Sequence, residues 1–139
     1  MIITEVPYQE TLALRRQVMY PDKDIESVKL PDDNLGLHIG VYENDELVSV
    51  MSIFLHNPGE IQFRKLATRI DMQGKGYASA LMKWLIDYVN DMKFERIWCN
   101  ARTNAIDFYK KFGYKETEDR FSKNGYDYVI MENRKPFHQ

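Results

Sequence analysis

The run Met72-Gln73-Gly74-Lys75-Gly76-Tyr77-Ala78-Ser79-Ala80-Leu81 sets two glycines one residue apart at the mouth of a segment with helical apolar spacing. The chain has seven glycines in all, and each one placed in a helix costs roughly 0.5–1 kcal/mol relative to alanine. A pair at a helix start lets backbone approach a ligand closely with its N–H groups turned outward, and the usual ligand is a phosphate. The candidate nest runs from Gln73 through Gly74, Lys75, Gly76 and Tyr77 to Ala78, with Lys75 able to add a positive charge.

Two phosphate-binding patterns fit poorly. A P-loop requires Lys-Ser/Thr after its second glycine, whereas Lys75 is followed by Gly76, which offers no hydroxyl to magnesium. A dinucleotide fingerprint needs a third glycine where Ser79 stands, and the next strand ends in Asn100 and Arg102 rather than in an acid for a ribose. A third pattern fits in two places. Gln73-x-x-Gly76-x-Ala78 resembles the Arg/Gln-x-x-Gly-x-Gly/Ala signature of the GNAT acetyltransferase superfamily. Roughly thirty residues later, Asn104-Ala105-Ile106-Asp107-Phe108-Tyr109-Lys110-Lys111-Phe112-Gly113-Tyr114 is similar to that family's second landmark, N-x4-Y-x3-G-F/Y. The resemblance spans nearly the whole chain and thins over residues 20–36. Leu14 to Pro21, "LRRQVMYP", resembles the first helix of a subgroup of small bacterial members, and Tyr128 stands where a histidine is often found in the family.

The resemblance implies acetyl-coenzyme A as co-substrate, coenzyme A as product and an amine as acceptor. It assigns the pyrophosphate to the Gln73–Ala78 nest and the pantetheine arm to the backbone of Leu66, Ala67 and Thr68, where a backbone N–H would polarise the thioester carbonyl. Tyr109 matches the family tyrosine that protonates the departing thiolate; its alternative reading is one of nine tyrosines packing a core. A phenol with a pKa near 10 keeps its proton at neutral pH and can deliver it to such a group. Asn104 is either a helix cap alone or a cap that also touches the cofactor. Glu60 lies thirteen residues before Gln73, the spacing at which the histone-acetylating branch carries its catalytic glutamate; many members use only ordered water, so the base stays open. His38 is an alternative base. His38, His56 and His138 are scattered, which argues against a metal cluster, and Cys99 between Trp98 and Asn100 reads as core, since transfer in this family is direct. A non-catalytic acyl-coenzyme A sensor and a nucleotide-binding domain stand as the competing functions.

The elements that must position these residues follow from periodicity. Ile2 to Val6 reads as a short strand and Tyr8 to Met19 as a helix ended by Pro21. Residues 21–36 read as a loop with one helical turn near Ile25 to Lys29, its acids Asp22, Asp24, Glu26, Asp32 and Asp33 either a solvated face or an attraction for a cationic amine. Strands over 37–43 and 46–55 flank Asn44-Asp45. In "EIQFRKLATR", Ile61 and Phe63 share a face but Leu66 follows after three positions, which predicts a β-bulge near Arg64 and Lys65. Tyr77, Leu81, Trp84, Leu85, Tyr88, Val89 and Met92 mark an amphipathic helix over 75–92, with Ser79, Lys83, Asp87 and Asn90 opposite. "RIWCNAR" is a buried strand, a short helix begins at Asn104 and ends at Gly113, and strands over 114–121 and 126–132 flank Asn124-Gly125.

The expected fold is a mixed α/β (α+β) domain over residues 1–139: a mostly antiparallel central sheet flanked by helices, with one splayed parallel pair formed by the bulged strand and "RIWCNAR". At 139 residues with 44% hydrophobic and 29% charged residues the chain suits one globular domain. Its formal charge of −2 gives no bulk attraction to nucleic acid or to an anionic membrane. The absence of a signal-like N-terminus and of a long apolar run, together with one cysteine, makes a cytoplasmic protein the expectation. A homodimer is left open.

Overall fold

The computed structural model describes residues 1–137. Its strands are β1 (Ile2–Glu5), β2 (Leu37–Glu43), β3 (Glu46–Leu55), β4 (Glu60–Thr68), β5 (Arg96–Arg102), β6 (Lys115–Lys123) and β7 (Tyr126–Arg134). Three α-helices are present among the described residues: α1 (Leu12–Met19), α2 (Tyr77–Asn90) and α3 (Ile106–Lys110). The strands form one sheet in the order β1-β2-β3-β4-β5-β7-β6. β1–β2, β2–β3, β5–β7 and β6–β7 are antiparallel, and β4–β5 is parallel. This is the mixed, mostly antiparallel architecture expected from the sequence.

Local chemistry accounts for both hairpins. Asn44 and Asp45 take φ of 50° and 64°, and Asn124 and Gly125 take 52° and 81°. A two-residue turn with both centres left-handed matches the twist of the strands it joins. The predicted fault in β4 is also present: Lys65 has φ 56° in an otherwise extended strand. Parallel pairing covers only Glu60, Ile61 and Gln62 against Arg96, Ile97 and Trp98, while β5 stays paired with β7 through Arg102 and Tyr128.

The chain divides into two compact units, Met1–Phe54 with Arg64–Met82, and Leu55–Phe63 with the chain from Lys83 onward. The first unit buries Leu12, Leu14, Ile39, Val41, Val48, Val50, Met51 and Ile53 around β2 and β3. The second buries Ile97, Cys99, Ala101, Val129 and Met131, the residues that share one face of β5 and β7.

Several expectations need correction. The first helix begins only at Leu12, because Tyr8–Thr11 is a 3-10 turn entered from Pro7, which lacks an N–H. The 21–36 segment holds two 3-10 turns, Glu26–Val28 and Asp33–Leu35, rather than one. α2 starts at Tyr77 instead of 75 and ends at Asn90 instead of 92. Its buried stripe is Tyr77, Leu81, Met82, Leu85, Ile86 and Val89. Trp84 and Tyr88 lie beside that stripe, half-buried and stacked with ring centroids 5.0 Å apart, and Met92 is exposed. β6 begins at Lys115 and reaches Lys123, and β7 reaches Arg134.

The arm's acids are not one solvated face. Asp33 is buried and takes both Arg15 nitrogens, Nη1 and Nη2, at 2.8 Å each, and the Leu30 N–H donates to it at 2.8 Å. Arg15 also donates to Ser52 Oγ at 2.9 Å and to the Val28 carbonyl at 3.2 Å. This buried pair ties the 21–36 arm to α1 and β3. Desolvation pushes the Asp33 carboxyl up, but the bonds from Arg15 and Leu30 outweigh it and hold the group below its ordinary value.

Candidate active site

In the first unit the glycine loop is shaped by backbone demands rather than by packing. Gly74 and Gly76 take φ of 78° and 91°, a region that L side chains avoid. A Cβ built on either would meet nothing within 4 Å. The glycines therefore face open space, which a close ligand could fill. The first backbone bond into α2 runs from the Ala80 N–H to the Gly76 carbonyl at 3.0 Å, and a helix leaves the N–H groups of its first turn without intrahelical acceptors. Tyr77 and Ala78 supply such groups.

Side chains around the loop anchor it. Gln73 Nε2 donates to the Thr68 carbonyl at 3.0 Å, joining the loop to the end of β4. Thr68 Oγ1 lies 2.8 Å from Ser49 Oγ, which also donates to the Ala67 carbonyl at 3.3 Å. The Tyr77 hydroxyl donates to Glu43 at 2.9 Å, and that bond raises the phenol pKa. Lys75 is exposed, with Nζ 3.8 Å from Met72 Sδ. Leu66, Ala67, Thr68 and Gln73–Ala78 are thus brought together within one unit, with Leu66 directly after the left-handed Lys65.

The second unit holds Tyr109, Asn104 and Glu60. Tyr109 lies on α3, its ring 5.7 Å from Phe63, 5.3 Å from Phe108 and 6.3 Å from Tyr114. Gly113 at φ 87° ends the helix, with its N–H to the Lys110 carbonyl at 3.1 Å and the Tyr114 N–H to the Tyr109 carbonyl at 3.3 Å. That paired closure fixes where Tyr109 stands. Burial pushes its phenol pKa up, the charge of Arg102 opposing, so the group keeps its proton at neutral pH. Beside it, the Tyr114 hydroxyl is buried with no hydrogen-bond partner among the described residues.

Asn104 differs from expectation. It sits inside the 3-10 turn Thr103–Ala105, exposed; Ala105 precedes α3, and no side chain caps that helix. The Glu60 carboxylate accepts from Arg96 Nη1 at 3.3 Å through Oε1, and Arg96 Nε donates to Glu132 at 2.6 Å. His38 is buried with Nδ1 2.7 Å from Ser52 Oγ and Nε2 2.8 Å from the Asp33 carbonyl. Both ring nitrogens serve the Arg15 cluster, so the alternative role as a base is not supported. Cys99 is buried core, its thiol pKa raised by desolvation. His138 lies outside the described residues.

One feature of the second unit went unread in the sequence. The register puts Gln62, Trp98, Asn100, Arg102, Tyr128 and Phe121 on a single sheet face. Phe121 and Tyr128 stack at 5.1 Å, and the Arg102 guanidinium lies 3.9 Å from the Tyr126 ring centroid. The alternation of "RIWCNAR" shows two faces, but only cross-strand register tells which residues of β6 and β7 join each.

Comparison with known proteins agrees with this geometry. Residues 13–135 match the model of the acetyltransferase (GNAT) domain. An uncharacterized N-acetyltransferase of Bacillus subtilis, YitI, is 24% identical over 138 residues, covering 93% of each chain. Among solved structures, a Lactobacillus plantarum protein assigned as an N-acetyltransferase superposes with a TM-score of 0.84 at 18% identity, over 96% of this chain and 97% of that one. A GNAT family acetyltransferase from Elizabethkingia anophelis with acetyl-CoA bound superposes at 0.72 and 15% identity, over 96% and 97%. With the family model covering nearly its whole length, the chain belongs to the GNAT acetyltransferase superfamily.

Proposed function

We propose that this chain, as one domain over residues 1–139, is a cytoplasmic N-acetyltransferase that moves the acetyl group of acetyl-coenzyme A directly to a primary amine. The observation that carries the reading is the open glycine loop: two left-handed glycines with nothing in front of them, at the start of α2. Backbone N–H groups from Gln73 to Ala78 hold the pyrophosphate, each charge-assisted bond contributing on the order of 1.5–3 kcal/mol. Gln73 acts through the Thr68 carbonyl, steadying the loop against β4. The pantetheine arm runs along Leu66, Ala67 and Thr68, which follow the left-handed Lys65 and lie beyond the last parallel pair of β4 with β5 at Gln62. Asn104, exposed ahead of α3, is available to the cofactor.

In the reaction a neutral amine attacks the thioester carbonyl, the C–N bond forms and the C–S bond breaks. Tyr109 gives its proton to the thiolate, and the proton lost by the amine nitrogen restores the phenol through solvent. Burial makes Tyr109 a weaker acid, and the nearby charge of Arg102 offsets part of that by favouring the phenolate. On its way the amine's proton passes through water to Glu60, which hands it back to solvent. Glu60 Oε1 is held by Arg96, and Phe63, against which Tyr109 packs, lies three residues or about 10 Å of strand away.

Calorimetry with acetyl-coenzyme A, NADP and ATP, followed by coenzyme A release over a panel of amines, tests the reading. Tight binding of acetyl-coenzyme A alone with release on at least one amine is expected. Binding without release on any amine would make the chain a sensor, and preference for NADP or ATP would overturn the reading.

A further inference from the structure

Four arginines of the second unit can be compared by what they meet. Arg96 pairs with Glu60 and Glu132, Arg120 with Glu116, and Arg134 with Glu132. Arg102 meets no carboxylate among the described residues; its guanidinium lies over the ring of Tyr126, which is 48% exposed. A cation–π contact uses none of a guanidinium's N–H groups as hydrogen bonds, so they remain for a planar anion, and a carboxylate accepts two such bonds side by side.

The surroundings supply more. Asn100, two residues along the same face of β5, is exposed. Opposite these two residues, β7 presents Tyr128 and Ile130, both half-buried, and Phe121 stacks on Tyr128. Trp98 on the same face carries a buried indole N–H with no partner among the described residues. An unpaired cation, an open amide and an apolar floor share one sheet face, and the buried Trp98 donor lies on the same face beyond them. This surface also adjoins the chemistry: the chain leaves Arg102 through Thr103–Ala105 directly into α3, which carries Tyr109.

Resting on the acetyltransferase reading, we propose that the Arg102–Asn100 face binds the acceptor's non-reacting part, and that the acceptor is an amine bearing a carboxylate and a flat apolar side group, as an aromatic amino acid does. Arg102 grips the carboxylate edge-on, Asn100 adds a hydrogen bond, and the apolar group lies on Ile130, Tyr128 and Phe121. Arg102 is then the residue that separates such acceptors from polyamines.

The test compares L-phenylalanine with phenethylamine, which differs by the missing carboxylate, using coenzyme A release from the full chain at saturating acetyl-coenzyme A. Phenylalanine is expected to be preferred at least tenfold in kcat/KM, chiefly through KM. In Arg102→Gln the ratio between the two probes should fall close to one, and Arg102→Lys should restore part of it, which a merely structural role for Arg102 would not produce. Acetyl-coenzyme A affinity reports whether each variant is folded. Acetylation of phenethylamine or spermidine with no advantage for phenylalanine overturns the proposal and leaves the acetyltransferase reading intact. Binding of acetyl-coenzyme A with no acetylation of phenylalanine overturns the proposal as well, and release on another amine then keeps the acetyltransferase reading. Failure of the chain to bind acetyl-coenzyme A removes both.

Discussion

Tyr109 and Tyr114 are five residues apart and packed ring against ring, yet they have opposite expected effects on substitution. Tyr109→Phe keeps the ring contacts with Phe63 and Phe108 while deleting the proton. Acetyl-coenzyme A affinity should hold and turnover should fall by roughly 10²–10⁴, the range for a lost general acid. Full turnover in that variant, with chemistry rate-limiting, would assign the thiolate's proton to water or to the amine. Tyr114→Phe removes a hydroxyl that is buried without a partner. Such a group costs about 1–3 kcal/mol, so the variant should melt at a higher temperature. A lower melting temperature would mean that the hydroxyl is satisfied in solution.

Among the elements, the glycine loop and the arm make separate demands. At Gly76, with φ 91° and open space ahead, a side chain brings backbone strain and blocks approach without any clash inside the protein. Gly76→Val should therefore weaken acetyl-coenzyme A binding at least tenfold, with turnover at saturation less affected, and titration calorimetry beside steady-state rates would show the split. The arm is centred on the buried Arg15–Asp33 pair. Asp33→Asn leaves the Arg15 guanidinium buried without its counter-charge, a loss of about 3–5 kcal/mol that urea unfolding would report. The loop was readable from residue type, since the Gly-x-Gly spacing and the break in apolar register before Leu66 both point to backbone turned away from its ladder. The arm was not, because a run of acids looks the same on paper whether or not a distant arginine claims one of them.

Taken over the molecule, the lowered carboxylates set the response to acid. Asp33 and Glu132 are desolvated yet held below their ordinary values of 3.8 and 4.5 by bonds from Arg15 and Leu30, and from Arg96 and Arg134. A carboxyl whose folded pKa is depressed contributes stability that is complete above its unfolded value and is lost as pH falls through the folded one. Stability should hold from neutrality down to about pH 5 and decline below about pH 4. Measured against pH by urea unfolding, Asp33→Asn should show a shallower decline in that window, and an unchanged slope would place the acid response elsewhere.

The sequence by itself determined the strand and helix order, both two-residue hairpins, the break in β4 at Lys65 and the glycine-bearing turn ahead of α2. Each of these is a local property, set by turn chemistry or by apolar spacing along a few consecutive residues. Tertiary structure decided what depends on partners distant in the chain: that Asp33 and His38 serve a buried arginine, that Glu60 is held by Arg96, and that Arg102 faces Tyr126 instead of an acid. A side chain's charge and hydrogen-bonding capacity are written in its type, but which group meets them is fixed only when strands register and side chains pack.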